Sequence, residues 1–307
     1  MRKQPKPHKK KRLTENNFLN IRKGKSKKNK SSDPAHITYE QLVLRNAGYV
    51  SDELQDRIRK TRLLIAGCGI GSTIAEAALR LGFEHLTLVD GDKVEVHNLN
   101  RQDFEAADAG TPKVKALLQR LLAINPSASI RTFNGWVTPD NAHPLVNEAD
   151  LVLDTIDFLS LEGITALHDA SHREGKPIIS AFSAGWGAAA VYFPPGGYTF
   201  RELFGLAPNE TVKHISYVKQ FAYVIDRIRD KLSPEIINAM QKTFAIMDDG
   251  RPCPAPHVSA GSMAVASLVV TMAVRLLRGL PVRTAPHMIL VDFDTIATLE
   301  GINLLPQ

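Results

Sequence analysis

Cysteine is nearly missing from this chain of 307 residues: there are two, Cys68 and Cys253, and no CxxC pair. That excludes a disulfide framework and a CxxC-type zinc site, so no zinc is expected. It fits a reducing, cytoplasmic compartment. A secretory leader with an apolar core is also lacking at the N-terminus. An uncharged run of 17 residues, Val258–Val274, sits at the short limit for a membrane span and is rich in small residues. It reads as a buried helix, and no membrane partner is expected. Acidic residues are scarce in one place only. Residues 1–33 carry 13 Lys or Arg against 2 acids, whereas the rest carries 25 basic and 30 acidic groups. That basic segment has few large apolar residues, so it is expected to be a disordered tail, able to contact RNA or an acidic partner.

What remains, residues 34–307, suits one α/β domain. "RLLIAG" (62–67), "HLTLVD" (85–90), "SIRTFNG" (129–135), "DLVLDTID" (150–157) and "KPIISAFSA" (176–184) are short apolar runs bounded by loops. Helical patterns separate several of them, at 71–83, 111–125 and 161–175. Strands alternating with helices predict a doubly wound, Rossmann-like, mostly parallel sheet with helices on both faces. Ser51 is expected to cap a helix from Asp52. Thr111 is expected to cap another, with Pro112 as its first residue. A further strand is read at 187–197. A helical insertion, with helices at 216–232 and 233–247, interrupts the pattern at about 198–256. A helix at 258–278 and a strand at 287–293 close the chain.

The motifs cluster where such strands end. Gly67, Gly69 and Gly71 stand at a strand-to-helix turn, where bare backbone N–H groups and a helix N-terminus suit a phosphate. NAD, FAD, S-adenosylmethionine and ATP enzymes all use such turns. Asp90 ends the second strand, 19 residues past Gly71, which is the ribose-acid position of a dinucleotide fold. Directly after it, "VDGDKVEVHNLNRQ" adds Asp92, Asn98, Asn100, Arg101 and Gln102. A hydride-transfer site has no need of that set. A triphosphate site does, because Arg101 grips a phosphate bidentately and Asn98 offers a hydrogen bond. Lys113 lies in the first turn of a helix, against the dipole, and implies a nearby anion. Asp154 and Asp157 end the fourth strand. Either one suits Mg²⁺, although Asp157 also suits a helix cap.

Gln55, the glycine turn, "LVDGD", "NLNRQ", "GTPKVKA", "INP", "LVLDTID" and "KPII" follow in that order between Arg45 and Phe193. Together they resemble the MoeB/ThiF/HesA family, bacterial relatives of the ubiquitin-activating enzymes. The resemblance implies an adenylyltransferase that uses ATP and Mg²⁺ to activate a carboxylate, with release of pyrophosphate. The carboxylate would belong to a ubiquitin-like carrier protein, a peptide or a small acid. The resemblance also implies roles. Asp90 and Asp92 would hold the ribose and nearby adenosine groups. Asn98, Arg101 and Lys113 would hold phosphates, Asp157 the metal, and Gln102 would support the loop. A homodimer is implied too, in which an Arg of an "RQ" pair reaches the partner's phosphates. Here Glu40-Gln41 occupies that place, and Arg45 is the nearest candidate. Phe158 replaces the Asn that usually follows Asp157, and the four zinc cysteines are missing. Cys253, in "GRPCPAP", is a candidate thioester thiol or an inert one, and Cys68 a packing residue. A tRNA-modifying dehydratase of the same family, an NAD- or FAD-dependent oxidoreductase and a degenerate nucleotide-binding module stay open as alternatives.

Overall fold

The computed structural model describes residues 18–20, 37–208, 210–215, 226–248 and 256–297. The apolar runs become strands β2 (Arg62–Ala66), β3 (His85–Asp90), β4 (Ser129–Asn134), β5 (Leu151–Asp154) and β6 (Ile178–Ala184). β7 (Gly187–Phe193) and β8 (Ile289–Asp292) follow, and β1 (Phe18–Asn20) precedes them. The sheet order is β1-β4-β3-β2-β5-β6-β7-β8. The five central strands are parallel, and β1, β7 and β8 join antiparallel. β5 and β7 are buried throughout, because helices cover both faces and leave no solvent side to require alternation.

One face packs against α2 (Asp52–Lys60), α3 (Gly71–Leu81), α4 (Lys113–Ile124) and a helix at Ser259–Leu277. The short α1 (Tyr39–Val43) leans on the end of α3. The other face packs against α5 (Ala142–Asn147), α6 (Leu161–Arg173) and α7 (Phe200–Leu203). The helix Ser259–Leu277 is long and apolar enough to cross a membrane, but Val265, Val269 and Met272 are buried against α3, β6 and β7. Its apolar length therefore serves the core.

Four expectations change. Phe18–Asn20 pairs with β4, so the basic segment is not wholly a tail; the rest of residues 1–33 lies outside the described residues. α4 begins at Lys113 with Pro112 as its cap residue, because Pro112 has ψ 131° and pairs with Lys93. Thr111 therefore caps nothing. α5, with Pro144 inside it, was not expected. The insertion also holds short elements that its sequence pattern does not give. α7 and short 3-10 turns precede α8 (Pro234–Asp248), and most of the helix expected at 216–232 lies outside the described residues.

The strand order reverses between β2 and β5, and that is where the sheet opens a crevice. Two segments close on each other there. Thr155 donates its N–H to Ala66 O at 2.9 Å and its hydroxyl to Gly67 O at 2.6 Å. Gly67 has φ +89°, and a Cβ on it would run into the backbone carbonyl of Thr155. Gly67→Ala therefore combines a left-handed alanine with a backbone clash. It is expected to lower stability by about 2–5 kcal/mol in urea unfolding. A change below 1 kcal/mol would show that this junction yields.

At the opposite edge, Arg62 binds Asp150 through its backbone N–H, Nε and Nη2 at 2.9, 3.0 and 2.5 Å. The Arg62 fork holds the Asp150 carboxyl below its usual range. A depressed carboxyl stabilises above its unfolded pKa and loses that contribution as pH falls through the folded one. Both partners are about half exposed, so Asp150→Asn should cost no more than about 1 kcal/mol at pH 7. The difference from wild type should fade below about pH 4. A difference that does not shrink as pH is lowered from about 4 would mean the pair does not act through its charge.

Candidate active site

The glycine turn runs from the end of β2 into α3. No side chain caps α3, and Ser72 and Thr73 donate their N–H groups back to Gly69 O and Ile70 O at 3.1 Å each. Gly71 is needed because a Cβ there would meet Thr155 Oγ1 at 2.7 Å and Ile65 Cγ2 at 2.9 Å. Gly69 lies under the amide of Gln102, whose Nε2 would stand 3.1 Å from a Cβ. Cys68 is fully buried between them, and burial pushes its thiol up, as befits a packing residue.

Asp90 ties the turn to the next loop. Its Oδ2 accepts the Cys68 N–H at 2.6 Å and its Oδ1 the Asp92 N–H at 2.7 Å. Burial raises its pKa, against the opposing charge of Lys113 and these two donors. Lys113 is itself buried, with Nζ 3.0 Å from Asp92 Oδ2. The anion implied by a lysine at this helix start is thus supplied first by the protein's own carboxylates. Asp92, which the resemblance places with Asp90 at the ribose and nearby adenosine groups, is paired with Lys113.

The loop that follows folds over this floor. Asn98 is buried, and its Oδ1 accepts the Glu95 N–H at 3.0 Å, which leaves its amide N–H₂ as the group to offer. Arg101 donates Nη1 to His97 O at 2.8 Å and Asn100 Oδ1 at 2.9 Å. Burial holds its guanidinium below its usual range, while the charge of Asp157 works the other way. Arg101 and Asp157, 56 positions apart in sequence, therefore sense each other across the crevice. Gln102 is buried, and its Oε1 has no donor among the described residues. That orphan acceptor marks a place where a bound group is required or the amide turns over.

The two acids of β5 differ. Asp154 is spent inside the protein. Its Oδ1 accepts the Ile156 N–H, and its Oδ2 lies 3.0 Å from His168 Nε2 and accepts the Ser180 hydroxyl at 2.8 Å. His168 Nε2 also lies 2.8 Å from Ser180 Oγ. One ring nitrogen meets both partners, so this cluster lacks the relay geometry of a hydrolytic triad. It closes one end of an apolar cavity of about 70 Å³, lined by Ile164, Phe182, Val191, Phe193 and Phe200 among others. With its polar members bonded to one another, that cavity is not the polar crevice. Asp157 is exposed, and its Oδ1 accepts only the Leu159 N–H of its own turn. The cap residue of α6 is Ser160, so the helix-capping alternative for Asp157 reduces to a local turn.

Gly67, Gly69, Gly71, Asp90, Asp92, Asn98, Arg101, Gln102, Lys113 and Asp157 thus gather at one sheet edge. Arg45 does not join them. It is exposed on the 3-10 turn Leu44–Asn46, without a hydrogen bond or ion pair to them among the described residues. Gln41 serves a capping box with Thr38, and Gln55 binds Leu81 O and Tyr39 at the end of α3. Cys253 lies outside the described residues. Sequence reasoning missed the Asp154–His168–Ser180 cluster, whose members are scattered over β5, α6 and β6 without a local signature.

The chain is similar to several known proteins. The heterocyst HesA protein of Trichormus variabilis is 32% identical over 158 residues, 51% of this chain and 57% of that protein. The sulfur carrier protein adenylyltransferase of Thermus thermophilus is 29% identical over 160 residues, 51% of this chain and 57% of that one. The match spans less than two thirds of each relative's length. Among solved structures, E. coli MccB with AMPCPP and MccA superposes with TM-score 0.56 at 18% identity, over 79% of this chain and 64% of that one. E. coli tRNA N6-threonylcarbamoyladenosine dehydratase in complex with ATP gives 0.53 at 18%, over 78% and 95%. At such identity these two establish a common fold. The ThiF family profile matches residues 42–302, well beyond the motifs at 45–193, and the chain belongs to the ThiF family.

Proposed function

We propose that the chain is an ATP-dependent adenylyltransferase that activates a carboxylate as an acyl-adenylate. The observation that carries this reading is that Arg101 and the exposed carboxylate of Asp157 come within electrostatic reach of each other beside a glycine turn whose other side holds Asp90. A nicotinamide or flavin site uses the turn and the acid, but has no use for a guanidinium and an exposed carboxylate on the phosphate side. The names of the Thermus relative and of the MccB complex fit the same chemistry.

In this reading an oxygen of the substrate carboxylate attacks the α-phosphorus, and the bond from that phosphorus to the pyrophosphate oxygen breaks. No proton moves, so neither a protein nucleophile nor a general base is needed. Rate comes from alignment and from neutralising charge. Backbone N–H groups of the turn, the Asn98 amide, Lys113 and Arg101 are the donors. Mg²⁺ keeps most of its waters and takes one or two carboxylates beside phosphate oxygens, so the exposed carboxylate of Asp157, which has no ion pair among the described residues, fits it. When bound, it would supply further neutralisation of the polyphosphate.

A carrier-protein or peptide C-terminus is the substrate class we favour. The basic segment is assigned to an RNA or acidic partner, which a steep loss of binding with salt would reveal. Arg45, flanked by exposed Leu44 and near Tyr49, is assigned to a second copy's site in a homodimer.

ATP with Mg²⁺ should raise the melting temperature where NAD does not. Arg101→Lys should fold normally and lose about 2 kcal/mol of transition-state binding, roughly a thirtyfold fall in ATP–pyrophosphate exchange, because lysine loses the planar fork. Asp157→Asn should lower exchange more than tenfold at limiting Mg²⁺, with an unchanged melting temperature. Stabilisation by NAD alone, or wild-type exchange in both variants, would overturn the reading.

A further inference from the structure

We propose that the indole of Trp136 is the platform on which the base of the bound nucleotide stacks, and that Gly91 is bare so that the indole can lie there. This deepens the adenylyltransferase reading and rests on it. β3 and β4 run parallel with Asp90 opposite Asn134. Gly91 is one residue past the first strand end, and Trp136 two residues past the second. A Cβ on Gly91 would stand 2.5, 2.6 and 2.8 Å from Trp136 Cε2, Cδ2 and Nε1. Near-equal distances to three atoms of the fused ring mean that Gly91 meets the face of the indole and not its edge. Any other residue at 91 would push the ring away.

The ring's remaining surface is open, since Trp136 is 64% exposed. Its backbone is nonetheless fixed. Asn141 Nδ2 donates to Trp136 O at 2.9 Å, Thr138 N–H donates to Asn141 Oδ1 at 2.8 Å, and Gly135 N–H donates to Asp90 O at 3.0 Å. Val137, the next residue, is buried in the core. A lone exposed aromatic is ordinary. This one is held by an anchored loop against the residue that follows the ribose acid. In doubly wound folds the nucleoside extends outward from that acid at the strand end. A flat ring there offers a base a stacking surface that favours any π face, while the donors deeper in the crevice select the phosphates. The other tryptophan, Trp186, sits in the β6–β7 turn, across the sheet from Asp90.

Two tryptophans make the test direct. In full-length Trp186→Phe protein, Trp136 is the sole indole emitter. ATP with Mg²⁺ should quench it, and saturating tripolyphosphate with Mg²⁺ should not. In the parent chain, Trp136→Ala should weaken ATP binding by roughly 5- to 100-fold in calorimetry, the scale of one base–aromatic stack. Its affinity for tripolyphosphate should stay within about twofold of the parent's, and Trp136→Phe should recover part of the loss. If ATP raises the melting temperature but leaves the emission unchanged, the stack is wrong and the nucleotide site stands. Equal losses for ATP and tripolyphosphate in Trp136→Ala would likewise overturn the stack and spare the site. If ATP does not bind at all, both fail.

Discussion

Thr155 is the residue on which the crevice depends. It leaves the end of β5 and crosses to β2, where its N–H and hydroxyl take the last carbonyls of the strand, Ala66 O and Gly67 O. Those carbonyls precede a helix whose own hydrogen bonds start further on, so without Thr155 they would be left at a half-buried strand end. The same contact leaves no room for side chains at Gly67 and Gly71. These glycines are therefore needed twice, once for a ligand's close approach and once for the protein's own. The glycine turn and the "LVLDTID" segment read as separate motifs in sequence, yet they are the two sides of one joint.

Charge follows the same economy. Asp90, Lys113 and Asp92 form a chain of opposite signs in which every member has a partner before any nucleotide arrives. A lone buried lysine or aspartate would carry a large desolvation penalty, which pairing offsets only in part, since burial still raises the pKa of Asp90. The consequence for binding is an exchange. In the proposed reaction, phosphate approaching Lys113 would compete with Asp92, the more exposed partner. Arg101 makes no such commitment. Its donors go to a carbonyl and an amide of its own loop, neutral groups that the phosphate of the proposed substrate would displace at lower cost than a carboxylate.

The strands were legible because five uninterrupted apolar runs admit no other state between helices of that spacing. That these residues gather at the strand ends was legible because acids, amides and cations crowded there stand out against the apolar runs before them. What was not legible has physical reasons. Lys113 showed the need for an anion but not its source, since Asp92 lies 21 residues away and touches it only in the fold. Phe18–Asn20 sits in a segment whose composition argues against any structure, and its pairing with β4 is a matter of edge geometry. α5 hides behind its own Pro144, tolerated because it falls in the first turn of a six-residue helix. Trp136 follows β4 in an irregular loop, where no periodicity gives it a direction.

Asp154 and Asp157 look interchangeable in sequence, three residues apart at one strand end. The backbone separates them. Asp154 is still in the strand, where alternation turns it toward α6, and there His168 and Ser180 saturate one oxygen while Ile156 N–H takes the other. A carboxylate so occupied cannot serve a ligand without giving up its bonds to His168 and Ser180, at a cost of about 1–3 kcal/mol for a buried group left short of a partner. Asp157 is past the strand, in a turn that uses one of its oxygens and exposes the side chain to the crevice beside Arg101. The first acid fixes where the strand ends, and that end fixes where the second acid stands. The pair works because the two carboxylates are unlike: the buried one has every oxygen committed to the fold, which leaves the exposed one free to face whatever the crevice binds.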